Sequence, residues 1–180
     1  MPPVESGDLI LRYADSVAEI DTLEPLWNAL QTHHATISPD LGKRTPSRDH
    51  GEAWRVRRSK YEHWLQHPDT FFVLAEIAGE PVGYAFVTVG RGYASWQTGP
   101  HLAELETLSV LPENRGGGVG SALLNAVWSH LTERGVEDMA ITTTITNVDS
   151  HRFYEREGFQ QRFVVYYGKA PARSSPVRRR

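Results

Sequence analysis

The chain has 180 residues, 39% of them hydrophobic and 23% charged, and it contains no cysteine. That size and balance fit one ordinary globular domain with a real core; they exclude disulfides, a Cys nucleophile and Cys-ligated zinc. Net charge is −3, but four Arg crowd into residues 171–180, so the rest carries 15 basic against 22 acidic residues, a balance of −7; this is not a nucleic-acid footprint, and it is compatible with attracting a cationic amine.

In chain order, Asp8–Ala14 (DLILRYA) reads as a first strand. Ala18–Ile37 reads as a helix, because Leu23, Leu26, Trp27 and Leu30 fall at i, i+3, i+4 and i+7. Pro39, Gly42 and Pro46 mark a loop. Ser47 is placed to cap a second helix, which runs through Trp54, Tyr61 and Trp64 to about His67. Phe71–Ile77 and Val82–Val89 form a hairpin around the turn at Ala78–Pro81. Residues 90–101 make a long loop rich in glycine and aromatics, and Ala103–Leu111 is the next strand. A glycine-rich loop and a helix over Gly120–Gly135 follow. Glu137–Ile145 is a β-branched strand, Asp149–Glu157 a short helix stopped at Gly158, and Phe163–Gly168 a last strand. Residues 1–169 read as one domain and 170–180 as a flexible basic tail. No apolar run reaches membrane-spanning length. The start, MPPVESGDLILRY, lacks the basic region and apolar stretch of a secretory signal. The expected location is therefore cytoplasmic, with no membrane or nucleic-acid partner.

The most informative stretch is ENRGGGVGSALL, residues 113–124. An Arg and four glycines stand between a strand and a helix. Glycine lets several N–H groups turn toward one point, at the positive end of a helix dipole, which suits a pyrophosphate. It is not a Walker loop, because Ser121 and Ala122 follow Gly120 where Lys and Ser or Thr would stand. It is not a dinucleotide fingerprint either, since Ser121 occupies the third glycine position.

The pattern that fits is R-x-x-G-x-G at Arg115, Gly118 and Gly120. Preceded by LETLSVLPEN and followed by NVDSHRFYEREGF, it resembles the acyl-coenzyme A loop of the GNAT superfamily of N-acetyltransferases. The resemblance covers residues 8–168. It implies an α/β (α+β) fold with the order β α α β β β α β α β. The sheet is mixed and flanked by helices, and its fourth and fifth strands splay to admit a pantetheine arm. It also implies acetyl-CoA as co-substrate and binding of it by Leu108, Ser109, Val110, Arg115, Gly116, Gly117, Gly118, Val119, Gly120, Ser121 and Asn147. In that superfamily the strand bulges at the positions matching Leu108–Val110. The N–H matching Leu108 points at the thioester carbonyl, and the Asn matching Asn147 bonds the pantetheine.

Acetyl transfer to an amine needs a base, donors for a developing oxyanion, and an acid for the leaving thiolate. Glu104 and Glu106 are the candidate bases; they share a strand face unless a bulge intervenes, and each would raise the other's pKa. Tyr154 is the candidate acid, since a phenol's pKa lies above a thiol's. Packing against Phe153 and Phe159 is its bland alternative. His33, His34 and His101 are candidates for the acceptor wall. So are Tyr93 and Trp96, which serve equally well as a homodimer interface. His63 and His67 stand four apart, but no Glu follows His63 and no third ligand is evident, so no metal is expected. The function implied is acetylation of a primary amine of a small molecule by direct attack. Two other readings stay open: a protein lysine or N-terminal acetyltransferase, and a non-catalytic acyl-coenzyme A-binding module.

Overall fold

A computed structural model describes residues 8–168. Strand β1 (Leu9–Ala14) leads through a 3-10 segment (Val17–Leu23) into helix α1 (Glu24–Ile37), short helix α2 (Pro39–Arg44) and helix α3 (His50–Trp64). Strands β2 (Phe71–Ile77), β3 (Glu80–Arg91) and β4 (His101–Val110) follow. Helix α4 (Val119–Thr132), strand β5 (Asp138–Ile141) and helix α5 (Val148–Arg156) complete the described elements. The sheet runs β1-β2-β3-β4-β5; the first three pairings are antiparallel and β4–β5 is parallel.

Both sheet faces are covered, and the central strands show it as runs of apolar residues without alternation. Val73, Ala75, Ala85 and Val87 point to α4 and its buried stripe of Val119, Leu123, Leu124, Val127 and Leu131. Phe72, Leu74, Tyr84 and Phe86 point the other way, to Ile20, Leu23, Leu26, Trp54 and Tyr61. On that side the Tyr61 and Phe86 rings stack at 4.0 Å. Each fully buried side chain of this size contributes about 1.5–3 kcal/mol relative to exposure.

Strand β4 changes phase in its middle. Phe86 pairs with Thr107 while Val87 pairs with Leu105, so Glu106 is an extra residue, a β-bulge. Ala103 and Leu105 sit in the α4 core, and Leu108 and Val110 pack against it. Thr107 and Ser109 are instead buried on the other side, bonded to Tyr61 and to the Leu26 carbonyl. Four alternate residues of one strand thus divide two and two between opposite faces. Strand β5 pairs with β4 only from Leu102 to Leu105. Beyond that point the two part, and β4 has no strand partner on its β5 side among the described residues.

Several elements differ from expectation. The first helix begins as a 3-10 segment capped by Ser16. The expected loop at 39–46 contains α2, with Pro39 at its first turn, where a missing N–H costs nothing. The cap of α3 is Asp49, which accepts from the Glu52 N–H; Ser47 lies outside the helix. Strand β5 stops at Ile141, because the β-branched run that follows has no neighbour to pair with. Residues 163–168 form no strand, and Phe163 to Tyr167 lie exposed. A sequence rich in Phe, Val and Tyr favours a strand only when a partner edge is available. The basic tail expected at 170–180 lies outside the described residues.

Candidate active site

The glycine loop closes β4 and opens α4. Gly116 and Gly118 adopt φ of 77° and 85°, a conformation that disfavours any side chain, and Gly118 is the N-cap of α4. The N–H groups of Gly116, Gly117 and Gly118 make no hydrogen bond among the described residues, and neither do those of Val119, Gly120 and Ser121 in the first turn. Six consecutive donors therefore stand free at the positive end of a 14-residue helix. Arg115 does not use its Nε for an outside anion; Nε donates to the Val110 carbonyl at 3.0 Å and ties the loop to the end of β4.

Helix α5 docks on this loop. A Cβ built on Gly120 would meet the Phe153 ring at 3.3 Å, so Gly120 allows the close approach of α4 and α5. The Ser121 hydroxyl donates to Glu157 at 2.6 Å and closes the same contact from the other end of α5. Asn147 is buried, and its Oδ1 caps α5 by accepting from the Ser150 N–H. Its NH2 makes no hydrogen bond among the described residues. Tyr154, half-buried, packs against the α4 core with Phe153 and Phe159, its ring 5.2 and 5.9 Å from theirs. Its hydroxyl makes no hydrogen bond among the described residues, and burial pushes its pKa up to about 12. The phenol is therefore protonated at any physiological pH.

The opposite face of β4 carries the carboxylates. The bulge does not part them: Thr88 pairs with Glu104 across the ladder and also donates its hydroxyl to the Glu106 carboxylate at 3.0 Å. Glu106 is raised above the ordinary carboxylate range, first by burial, then by Glu104; the Thr88 bond, Arg57 and Lys60 oppose the rise. Beside these groups is an open pocket of about 320 Å³, bounded by Trp64, His67, Thr88, Arg91, Leu102 and Glu104 among others. His34 of α1 faces the same side. Burial lowers its pKa, with His33 and Arg57 adding to the effect, so its neutral form is favoured.

The geometry agrees with what this chain resembles. The family model described as "Acetyltransferase (GNAT) family" matches residues 30–159. The chain belongs to the GNAT acetyltransferase family. An uncharacterised N-acetyltransferase of Methanocaldococcus jannaschii is 34% identical over 107 residues, 58% of this chain and 46% of that one. A mycothiol acetyltransferase of Thermobispora bispora is 33% identical over 136 residues, 76% of this chain and 42% of that one. This GNAT chain thus spans less than half the length of the curated relatives it matches. Among solved structures, the aminoglycoside N-acetyltransferase AAC(6')-Iy in complex with CoA superposes with a TM-score of 0.67 at 22% identity, over 94% of this chain and 99% of that one. A GCN5-related N-acetyltransferase from Ralstonia eutropha JMP134 gives 0.68 at 17% identity, over 90% and 99%. These structural likenesses establish the GNAT fold.

Not every sequence-derived candidate is drawn into the GNAT cleft. The bulge of β4 stands at Glu106, two residues ahead of Leu108. His33 and His34 lie on α1 with rings 6.2 Å apart. His101 is the exposed first residue of β4, five positions from Glu106, or about 17 Å along an extended strand. Tyr93 and Trp96 occupy the loop beside it; Trp96 is 64% exposed, and the Tyr93 ring lies 5.3 Å from that of Phe163. These rings do not close a pocket. His63 lies in the last turn of α3 and His67 beyond its end, and no group of three or more His, Asp or Glu gathers for a metal among the described residues. Nor is any helix among them long and apolar enough to cross a membrane.

Two residues missed by sequence reasoning hold this site. Thr88 is read from the sequence only as part of a hairpin strand. Arg57 lies on the apparently polar side of α3, yet it reaches β4. Its Nη2 donates to the Glu106 carbonyl at 3.1 Å and to the Thr107 hydroxyl at 2.9 Å. One signal was present: Trp54, Tyr61 and Trp64 surround an Arg at helical spacing, a setting in which a cation can be stacked rather than solvated.

Proposed function

We propose that this chain is an acetyl-CoA-dependent N-acetyltransferase acting on a primary amine of a small molecule. The observation that carries the reading is the run of six free N–H groups, Gly116 to Ser121, at the start of α4 and next to the divergence of β4 and β5. A pyrophosphate needs such donors, and an extended pantetheine arm needs an open strand edge. The residues fit the group: Gly116 to Ser121 would hold the pyrophosphate, and the β4 edge at Leu108–Val110 with the Asn147 amide would hold the arm. Arg115 is left to fix the loop. Acetyl-CoA supplies an acyl carbon activated as a thioester.

The two faces of β4 divide the remaining work. Glu106, its pKa raised by burial, accepts a proton from the ammonium, directly or through water, with Glu104 keeping the acceptor side negative. The amine nitrogen forms its bond to the thioester carbon. The carbon–sulfur bond breaks, the thiolate takes the proton of the Tyr154 hydroxyl, which burial has kept on the oxygen, and the second proton leaving the acylated nitrogen restores the phenol. The products are the N-acetyl amine and the free thiol. The pocket between Trp64 and Glu104 has the polarity for a second cationic or hydroxylated part of the acceptor.

The exposure of Trp96 and Tyr93 favours a second reading, in which the acceptor is a lysine or N-terminal amine of a protein bound across an open surface. A panel of small amines and peptides, scored by thiol release from acetyl-CoA, separates the two. Turnover of a small amine at a kcat/KM well above that of any peptide is expected. Peptide preference would reverse the assignment. Acetyl-CoA binding with no thiol release from any amine would favour a non-catalytic binding module.

A further inference from the structure

The GNAT resemblance accounts for the glycine loop, α5 and the carboxylates; it does not account for Arg57. This side chain is half-buried, and its guanidinium carbon lies 4.4 Å from the Trp27 ring centre, 5.1 Å from Tyr61 and 5.5 Å from Trp64. Its Nε is buried without a partner. The cation is thus held by three aromatic rings and by a single donating nitrogen, Nη2. That nitrogen serves the carbonyl of the one residue in β4 that has no counterpart on β3, and the hydroxyl of the next residue. The Thr107 hydroxyl continues the chain to Tyr61, and Tyr61 to Tyr84 at 2.9 Å, inside the core.

A bulge leaves a carbonyl outside the ladder, and such a group needs a partner when it is away from water. A guanidinium supplies it and cannot lose its charge. We infer that Arg57 is a positioning residue that locks the bulge of β4 and thereby sets where the Glu106 carboxylate sits and how readily it ionises. The Thr88 hydroxyl fixes the side chain of Glu106 while Arg57 fixes its backbone, so the residue is held from the neighbouring strand and from α3. The charged groups acting on Glu106 are Glu104 on its own strand and Arg57 and Lys60 on α3, and His34 of α1 faces Arg57. Of these only Arg57 also touches the backbone of Glu106. Lysine would not replace it, because an ammonium lacks the planar surface that stacks between the three rings.

This role rests on the proposed reading only in making Glu106 the base, so its test is independent of turnover. The full-length protein carrying ¹³C-labelled glutamate is titrated by NMR, the Glu106 signal being the one lost in Glu106→Gln, and amide exchange is followed at residues 105–108. In Arg57→Met the Glu106 midpoint moves to higher pH, and those amides exchange about 10-fold or more faster than in the parent, as expected when a charged hydrogen-bond partner is removed. In Arg57→Lys the charge stays, so the midpoint moves less, but the amides are still loosened. A Glu106 midpoint unmoved in Arg57→Met overturns the proposal. So do amides at 105–108 that remain as slow as the parent's in Arg57→Lys, the variant that serves if Arg57→Met does not fold. Normal turnover by Glu106→Gln would instead remove Glu106 as the base and leave these two measurements standing.

Discussion

The two faces of β4 are built in different ways. The face toward α4 and α5 comes from contiguous sequence: the loop of residues 115–120 and the segment 147–158 carry nearly all of its donors and rings. The face toward α1 and α3 is assembled from a distance, with Arg57, Thr88 and Glu106 contributed by three separate elements. A site for a ligand component that is always the same can be written as a local motif. A site for a variable acceptor is spread over elements that change independently, and fold-level likeness says least about it.

That contrast is open to attack first at Tyr154. Tyr154→Phe keeps the ring between Phe153 and Phe159 and removes only the hydroxyl. We expect kcat to fall about 10²–10⁴-fold, the usual contribution of a general acid, for every amine alike. The melting temperature and acetyl-CoA affinity should stay near the parent's. A large loss of stability would make the hydroxyl structural. Near-normal turnover would mean that solvent protonates the thiolate.

The next largest effect belongs to the glycine loop. Gly118→Val forces a side chain into positive φ, and Gly120→Val drives a Cβ and its methyls into the Phe153 ring. Each should abolish the thermal stabilisation given by coenzyme A, about 2.7 kcal/mol for the parent at a ligand concentration 100-fold above Kd. Full ligand-induced stabilisation in both variants would remove the pyrophosphate from this loop.

On the other face the response should depend on the amine. Because the folded protein raises the Glu106 pKa, the acidic limb of kcat/KM should lie above the range of an ordinary carboxylate. Glu106→Gln should flatten that limb and lower kcat/KM by about 10²-fold, most for amines of high pKa. An unchanged profile in both Glu106→Gln and Glu104→Gln would shift the task to a water chain or a histidine.

The smallest effect is on stability. The His34 pKa is lowered in the fold, so the unfolded chain takes up its proton at higher pH than the native one does. The contribution of neutral His34 is full above the ordinary imidazole value of about 6.5 and is lost as pH falls from there toward the depressed value. His34→Gln should reduce the slope of stability against pH in that window, measured by urea unfolding between pH 7 and 5. An unaltered slope would place the titration elsewhere, His130 being the other lowered imidazole.

The same division governs what the sequence made legible. The motif around Arg115–Gly120, the stop at Gly158 (φ 93°) and the hairpin strands depend on near neighbours, and each stands where the pattern placed it. The start of α3 was also readable: Asp49 and Glu52 have capping-box spacing, a stronger signal than Ser47. What escaped depends on partners far along the chain. Strand propensity at 142–146 and 163–168 could not reveal that no edge receives them. The hydrogen bonds of Arg57 join residues 49 and 50 positions apart, and a basic residue on a helix reads as solvated until its neighbours in space are known. Arg115 shows the reverse case, a cation matched to a phosphate motif whose Nε is spent on a carbonyl of its own chain.

Regarded as a periodic signal, β4 consists of two half-strands joined by a phase slip of one residue at Glu106. The slip works like a frameshift. Pairing that single position as an ordinary ladder residue would leave the sequence of the strand unchanged, yet it would turn the Thr107 and Ser109 hydroxyls toward the apolar stripe of α4 and Leu108 and Val110 toward the tyrosine network. The strand can therefore tolerate many substitutions but not an added residue. Any insertion between Leu105 and Val110 has to be matched by a second change that restores the frame before the glycine loop begins, whereas the loss of one residue there is absorbed by straightening the bulge.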